Sequence, residues 1–189
     1  DIFRMNKPKP PGALEAAASL DKGLDNLIIF NSLSKRSNAS GMRAGFIAGD
    51  KKIIASYKLL VSNGASPVPI PIQKVAAYLY DDEEHHTNAC IHYDQNFSIV
   101  EKYLKPFYKD LKLPDAGFFL WLKVKDDQQA AKILWNKFSL RVMPGSFMGK
   151  DINGINPGNG FLRISLVDNK DVIEETMKRI QLFLQSEIS

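Results

Sequence analysis

Two short apolar runs, residues 27–30 and 44–48, constrain this chain more than any other feature. Each is bounded by polar or glycine residues and has the length of a buried strand rather than a helix. The loop between them carries Ser32-Leu33-Ser34-Lys35-Arg36-Ser37-Asn38-Ala39-Ser40-Gly41-Met42-Arg43. It holds hydroxyls, one central lysine, an arginine eight residues on, and glycines close by. That set suits an amine placed beside a phosphate. Serine hydroxyls and a forked guanidinium supply donors to phosphate oxygens. An amine attacks a carbonyl only in its neutral form, which cationic neighbours such as Arg36 and Arg43 favour. Gly41 and Gly45 would let the backbone turn tightly there. Composition alone is also satisfied by a polar surface loop with a solvated lysine.

The rest of the chain alternates helix and strand without repeats. Residues 6–12, with three prolines, read as an extended loop. The pattern predicts helices over 14–20, over 51–61 with Asp50 as the cap, and over about 72–95 with Val75, Ala76 and Leu79 on the apolar face. Phe97, Val100 and Leu104 continue at helical spacing up to Pro106. A strand is expected over 117–124, then a helix capped by Asp126 or Asp127 with Ala130, Leu134 and Phe138 inward. Strands are expected over 140–143 and 161–166. A final helix opens at Asp168 or Asn169 and buries Ile173, Met177, Ile180 and Leu184. The fold class is α/β, with a boundary inside the long helical stretch.

At 189 residues the chain can bury a sizeable core. Its net charge of +4 is spread rather than clustered. With no recognisable reader module, this argues against a nucleic-acid partner. No apolar stretch approaches the ~20 residues that cross a bilayer. Cys90 is the single cysteine, which rules out an intrachain disulfide and suits a reducing, cytoplasmic setting. His85, His86, Cys90 and His92 lack a second ligand cluster, so no metal is expected. Arg163 stands in a strand-like segment whose alternation groups it with Phe161 and Ser165. It reads as a bidentate clamp for a carboxylate or as an exposed arginine on an edge strand. The Asn153–Gly160 stretch before it reads as a mobile loop or lid, and Pro144–Phe147 as a plain turn.

Ser32-Leu33-Ser34-Lys35, the step to Arg43 and the following Gly45 resemble the cofactor-lysine segment of class I/II aminotransferases, which are fold-type I pyridoxal-phosphate enzymes. The likeness continues through the 114–122 stretch, Val142-Met143-Pro144-Gly145-Ser146-Phe147 and Phe161-Leu162-Arg163-Ile164-Ser165-Leu166. Within that family, the segments 31–38, 66–73 and Asn156-Pro157-Gly158-Asn159-Gly160 are most similar to N-succinyldiaminopimelate aminotransferases of lysine biosynthesis. The resemblance implies pyridoxal 5'-phosphate as cofactor. It makes Lys35 the catalytic tether and proton carrier, with Ser32, Ser34 and Arg43 as cofactor ligands and Arg163 as the substrate-carboxylate ligand. It implies residues 1–95 as the C-terminal part of a large cofactor-binding domain and 96–189 as a small C-terminal domain. The chain would then be about half of a cytoplasmic homodimeric enzyme acting on amino acids and 2-oxo acids, inactive as this half alone. Aspartate-like aminotransferases, lyases or oxoamine synthases on the same scaffold, and a non-catalytic regulatory domain, remain open at this point.

Overall fold

The structure is a computed structural model, and it describes residues 1–20 and 23–188. The chain divides into two units, Asp1–Cys90 and residues 91–189.

In the first unit, helix α1 (Ala13–Ser19) precedes strand β1 (Ile28–Ser32), the one-turn helix α2 (Leu33–Arg36) and strand β2 (Gly45–Gly49). The strands pair antiparallel, Ile28 opposite Gly49 and Ser32 opposite Gly45. Gly45 is required here, because a Cβ on it would lie 2.2 Å from the Asn31 carbonyl oxygen. Gly41 lies in the tight turn Ser40–Met42, but a Cβ there would meet nothing and its φ is not positive, so that turn does not require glycine. Helix α3 (Lys51–Gly64) is capped by Asp50, whose Oδ1 accepts from the Lys52 and Ile53 amides at 2.7 and 3.4 Å. Leu33, Ala44 and Ala76 form a small core.

The single helix expected over 72–95 is two: α4 (Ile70–Asp81) and α5 (Glu84–Leu104). The Asp82 carboxylate breaks the run by accepting from the Glu84 and His85 amides, an alternative to the helical ladder. Ala76 is buried as expected, whereas Val75 is 47% exposed.

The second unit is a three-stranded antiparallel sheet in the order β3 (Phe119–Lys123), β5 (Phe161–Ser165), β4 (Met143–Pro144). Leu120, Leu122, Leu162 and Ile164 point to one face, where α6 (Asp127–Phe138) and α7 (Lys170–Ile188) cover them. Ala130 and Leu134 of α6, Ile173, Met177, Ile180, Phe183 and Leu184 of α7, and Phe97, Val100 and Leu104 of α5 are buried in that core with Leu166. Asp126 caps α6 through the Gln129 amide at 2.9 Å, and Asn169 accepts from the Val172 amide at 3.0 Å. The strand expected over 140–143 begins only at Met143. Ser139 takes the left-handed conformation, and the Leu140 amide still bonds Leu134 O, so that stretch finishes α6 instead.

Candidate active site

Ser32 closes β1 and caps α2. Its Oγ accepts from the Ser34 amide at 3.1 Å and donates to Ser34 Oγ at 2.9 Å. Lys35 follows on the same turn and is exposed. The Leu33 amide donates to Ala44 O at 3.2 Å, which draws the end of the loop back against α2. Arg43, the residue before Ala44, is exposed in the left-handed conformation (φ 51°), with Nη1 donating to Ser40 O at 3.0 Å. Pairing and capping thus gather two hydroxyls, an amine and a guanidinium on one part of the first unit. That donor set fits a phosphate beside a carbonyl-bearing cofactor such as pyridoxal phosphate.

Arg36 does not serve as the expected cationic neighbour of the lysine. It is only 6% exposed, and it donates from Nη1 to Leu79 O at 3.1 Å and from Nη2 to Tyr80 O at 3.5 Å. It also pairs with Glu83. Tyr80 places its ring 5.7 Å from that guanidinium and donates its hydroxyl to Asn31 Oδ1 at 3.1 Å. Asn31 Nδ2 in turn donates to Asp1 Oδ2 at 2.8 Å. His86 Nε2 and Cys90 Sγ both meet Asp1 O, at 2.6 and 3.5 Å. Among the described residues no group of three or more metal-ligating side chains comes together.

Arg163 belongs to the second unit. It sits on β5, the central strand, opposite Trp121 on one side and Met143 on the other, so the edge-strand reading is wrong. It is half-buried, with its guanidinium 4.5 Å from the Phe119 ring centroid. Trp121 and Phe161 on the same face line a cavity of about 460 Å³, together with Gly145, Met148, Gly149, Pro157 and Gly158.

The loop before β5 is pinned at its base rather than mobile throughout. Asn156 Nδ2 donates to Ser146 O at 3.0 Å and its Oδ1 accepts from the Gly158 amide at 2.9 Å. Buried Asp127 accepts from the Ser146 amide at 2.9 Å and the Gly160 amide at 3.2 Å. Burial pushes the Asp127 carboxyl up, and these hydrogen bonds reverse that, leaving its pKa below the ordinary value. Sequence reading gave Asp127 only a capping role, and the turn Pro144–Phe147 none. The available signal was a doubled aspartate where one suffices as a cap.

The architecture is that of solved aminotransferases. Over 96% of the chain it superposes on an aminotransferase of Neisseria meningitidis with a TM-score of 0.89 and 37% identity. The aminotransferase AspB of Helicobacter pylori follows at 0.85 and 27% over 97% of the chain. Each match takes in 47% of the solved chain. The family model described as aminotransferase class I and II matches residues 5–180, and the chain belongs to that family. A curated relative, the LL-diaminopimelate aminotransferase of Natranaerobius thermophilus, is 30% identical over 174 residues, 90% of this chain and 41% of the relative. The chain therefore spans a little under half the length of the proteins it matches.

Proposed function

We propose that the full-length protein is a pyridoxal-phosphate-dependent aminotransferase whose amino donor has a diaminopimelate skeleton and whose acceptor is 2-oxoglutarate. The observation that carries this reading is that Ser32, Ser34 and Lys35 share one capped turn, with the end of the loop that carries Arg43 drawn back against it through the Leu33 amide and Ala44 O. Family membership supports the reaction class. The diaminopimelate relative supports the skeleton, and the loop resemblance at residues 31–38 and 156–160 supports its N-succinylated form. Residues 1–95 then form the C-terminal part of the cofactor domain and 96–189 the small domain, in a cytoplasmic homodimer.

When bound, pyridoxal phosphate supplies the electron sink that acidifies the substrate α-carbon. Ser32 and Ser34 present hydroxyls to the phosphate, and Arg43 a fork of N–H donors. The Lys35 amine first tethers the cofactor. As a free amine it would hold and move the proton at the substrate α-carbon, acting as general base and then acid. Arg163 pairs with the α-carboxylate that donor and acceptor share.

Borohydride reduction of the full-length protein with pyridoxal phosphate should fix the cofactor on Lys35, and Lys35→Ala should abolish amino transfer. Label on another lysine would overturn the assignment. Parallel assays with N-succinyl-LL-diaminopimelate, free LL-diaminopimelate and aspartate decide the donor, and the succinylated substrate should give the highest kcat/KM.

A further inference from the structure

The turn that carries Lys35 is held at both ends by one short stretch of another element. At its N-terminal side, Asn31 precedes Ser32 and accepts the Tyr80 hydroxyl at 3.1 Å. At its C-terminal side, Arg36 follows Lys35 and turns its guanidinium onto the Leu79 and Tyr80 carbonyls. Those carbonyls lie in the last turn of α4, where an α-helix leaves its final C=O groups without partners and favours a cation. The two anchors, Tyr80 and Arg36, also lie against each other, ring to guanidinium. The Phe46 ring packs edge-on to Tyr80 at 5.0 Å from the opposite strand, β2. Burial raises the Tyr80 pKa, so its hydroxyl stays a donor throughout the working pH range.

We propose that Arg36 and Tyr80 are positioning residues that clamp the Ser32–Lys35 turn from both ends and so fix where the lysine amine stands. The idea rests on the aminotransferase reading for its chemistry, though not for its geometry. A one-turn helix has almost no hydrogen-bonded length of its own. The Ser32 cap, buried Leu33 and its bond to Ala44 O also hold the turn, and the clamp adds a fixed point at each end of it. Lysine replaces Arg36 only in part, because one ammonium does not present a planar fork to two carbonyls.

The test uses the full-length protein, pyridoxal phosphate as the probe, and the variants Arg36→Lys, Arg36→Met and Tyr80→Phe. Three readings are taken: the rate of borohydride fixation on Lys35, kcat and KM for glutamate, and amide exchange over residues 33–37. Tyr80→Phe should slow fixation and kcat about fivefold, the size of one lost hydrogen bond. Arg36→Met should slow both by up to roughly 10²-fold, as displacement of a reacting group by about 1 Å does. Arg36→Lys should recover part of the loss, KM should stay near wild type, and exchange over 33–37 should quicken in each variant. The double variant should fall short of the product of the singles, since both anchors hold one segment. A lowered Tm with fixation, kcat and exchange unchanged would show that Arg36 merely fills space, and the clamp would be wrong. The milder Tyr80→Phe decides the question if Arg36→Met does not fold. If wild type is not labelled on Lys35, the aminotransferase reading fails, and exchange over 33–37 still decides the clamp.

Discussion

Asp127 shows how a single carboxylate can organise a loop that sequence patterning treats as a connection. It is 5% exposed and accepts from the amides of Ser146 and Gly160, which belong to two separate turns. Its folded-state pKa lies below the ordinary 3.8, so the unfolded chain binds the proton more readily. The stabilisation is therefore complete above that value and lost as pH falls through the lower, folded-state pKa. Thermal denaturation against pH should show wild type losing stability below about pH 4, while Asp127→Asn stays flatter there. Parallel curves would dispose of the idea. Asp127→Ala should cost about 2–4 kcal/mol at neutral pH, because two amides lose their acceptor inside the protein. Arg163 sits on the strand that this network feeds. Arg163→Lys keeps the charge and loses both the fork and the stacking over Phe119. In the full-length enzyme kcat/KM should fall roughly 10²-fold for glutamate and for the succinylated donor alike, with cofactor affinity unchanged. Full activity toward both would remove Arg163 from the substrate site.

At the scale of elements, sequence patterning found most of the helices and strands, because burial periodicity is a local property. Ile173, Met177 and Ile180 are inward on α7, as their spacing required. It went astray where a side chain competes with the backbone, as Asp82 does between α4 and α5, or where a cap runs past the last periodic residue, as at Leu140. Ser32, Lys35 and Arg43 could be proposed together from the sequence because they are neighbours in it. The contacts of Arg36, Tyr80 and Asp127 could not be read in the same way, since their partners lie 19 to 49 residues away. Glycines show the same division. Gly41 and Gly45 look equivalent in the sequence, yet a Cβ meets nothing at Gly41 and lies 2.2 Å from Asn31 O at Gly45. Gly45→Ala must push β2 away from β1 beside Ser32 and should cost about 1–3 kcal/mol. Gly41→Ala should stay within about 0.5 kcal/mol. Equal melting temperatures for the two variants would refute this account of the strand pairing.

The two units are unequal in what they bury, and that sets the behaviour of the 189-residue chain as a whole. The second unit joins three strands to α6, α7 and the C-terminal part of α5 over Phe97, Leu122, Leu134, Leu162 and Met177, all at most 1% exposed. The first unit has a two-stranded ribbon, and such a ribbon is marginal without further strands or an apolar cover. Its large apolar side chains are widely exposed: Phe30 65%, Leu59 67%, Leu60 68% and Ile70 68%. The relatives it matches have more than twice as much chain with which to cover such a surface. Limited proteolysis of the 189-residue chain should therefore cut first within residues 1–90 and leave a resistant fragment over about 91–189. The intact chain should also self-associate through the exposed apolar surface. It should neither retain pyridoxal phosphate nor transfer amino groups, because the proposed cofactor ligands lie in the less stable unit. Early cutting within 91–189, or a monodisperse chain with transaminase turnover, would contradict the ranking of the two units and the inference that further chain completes the site.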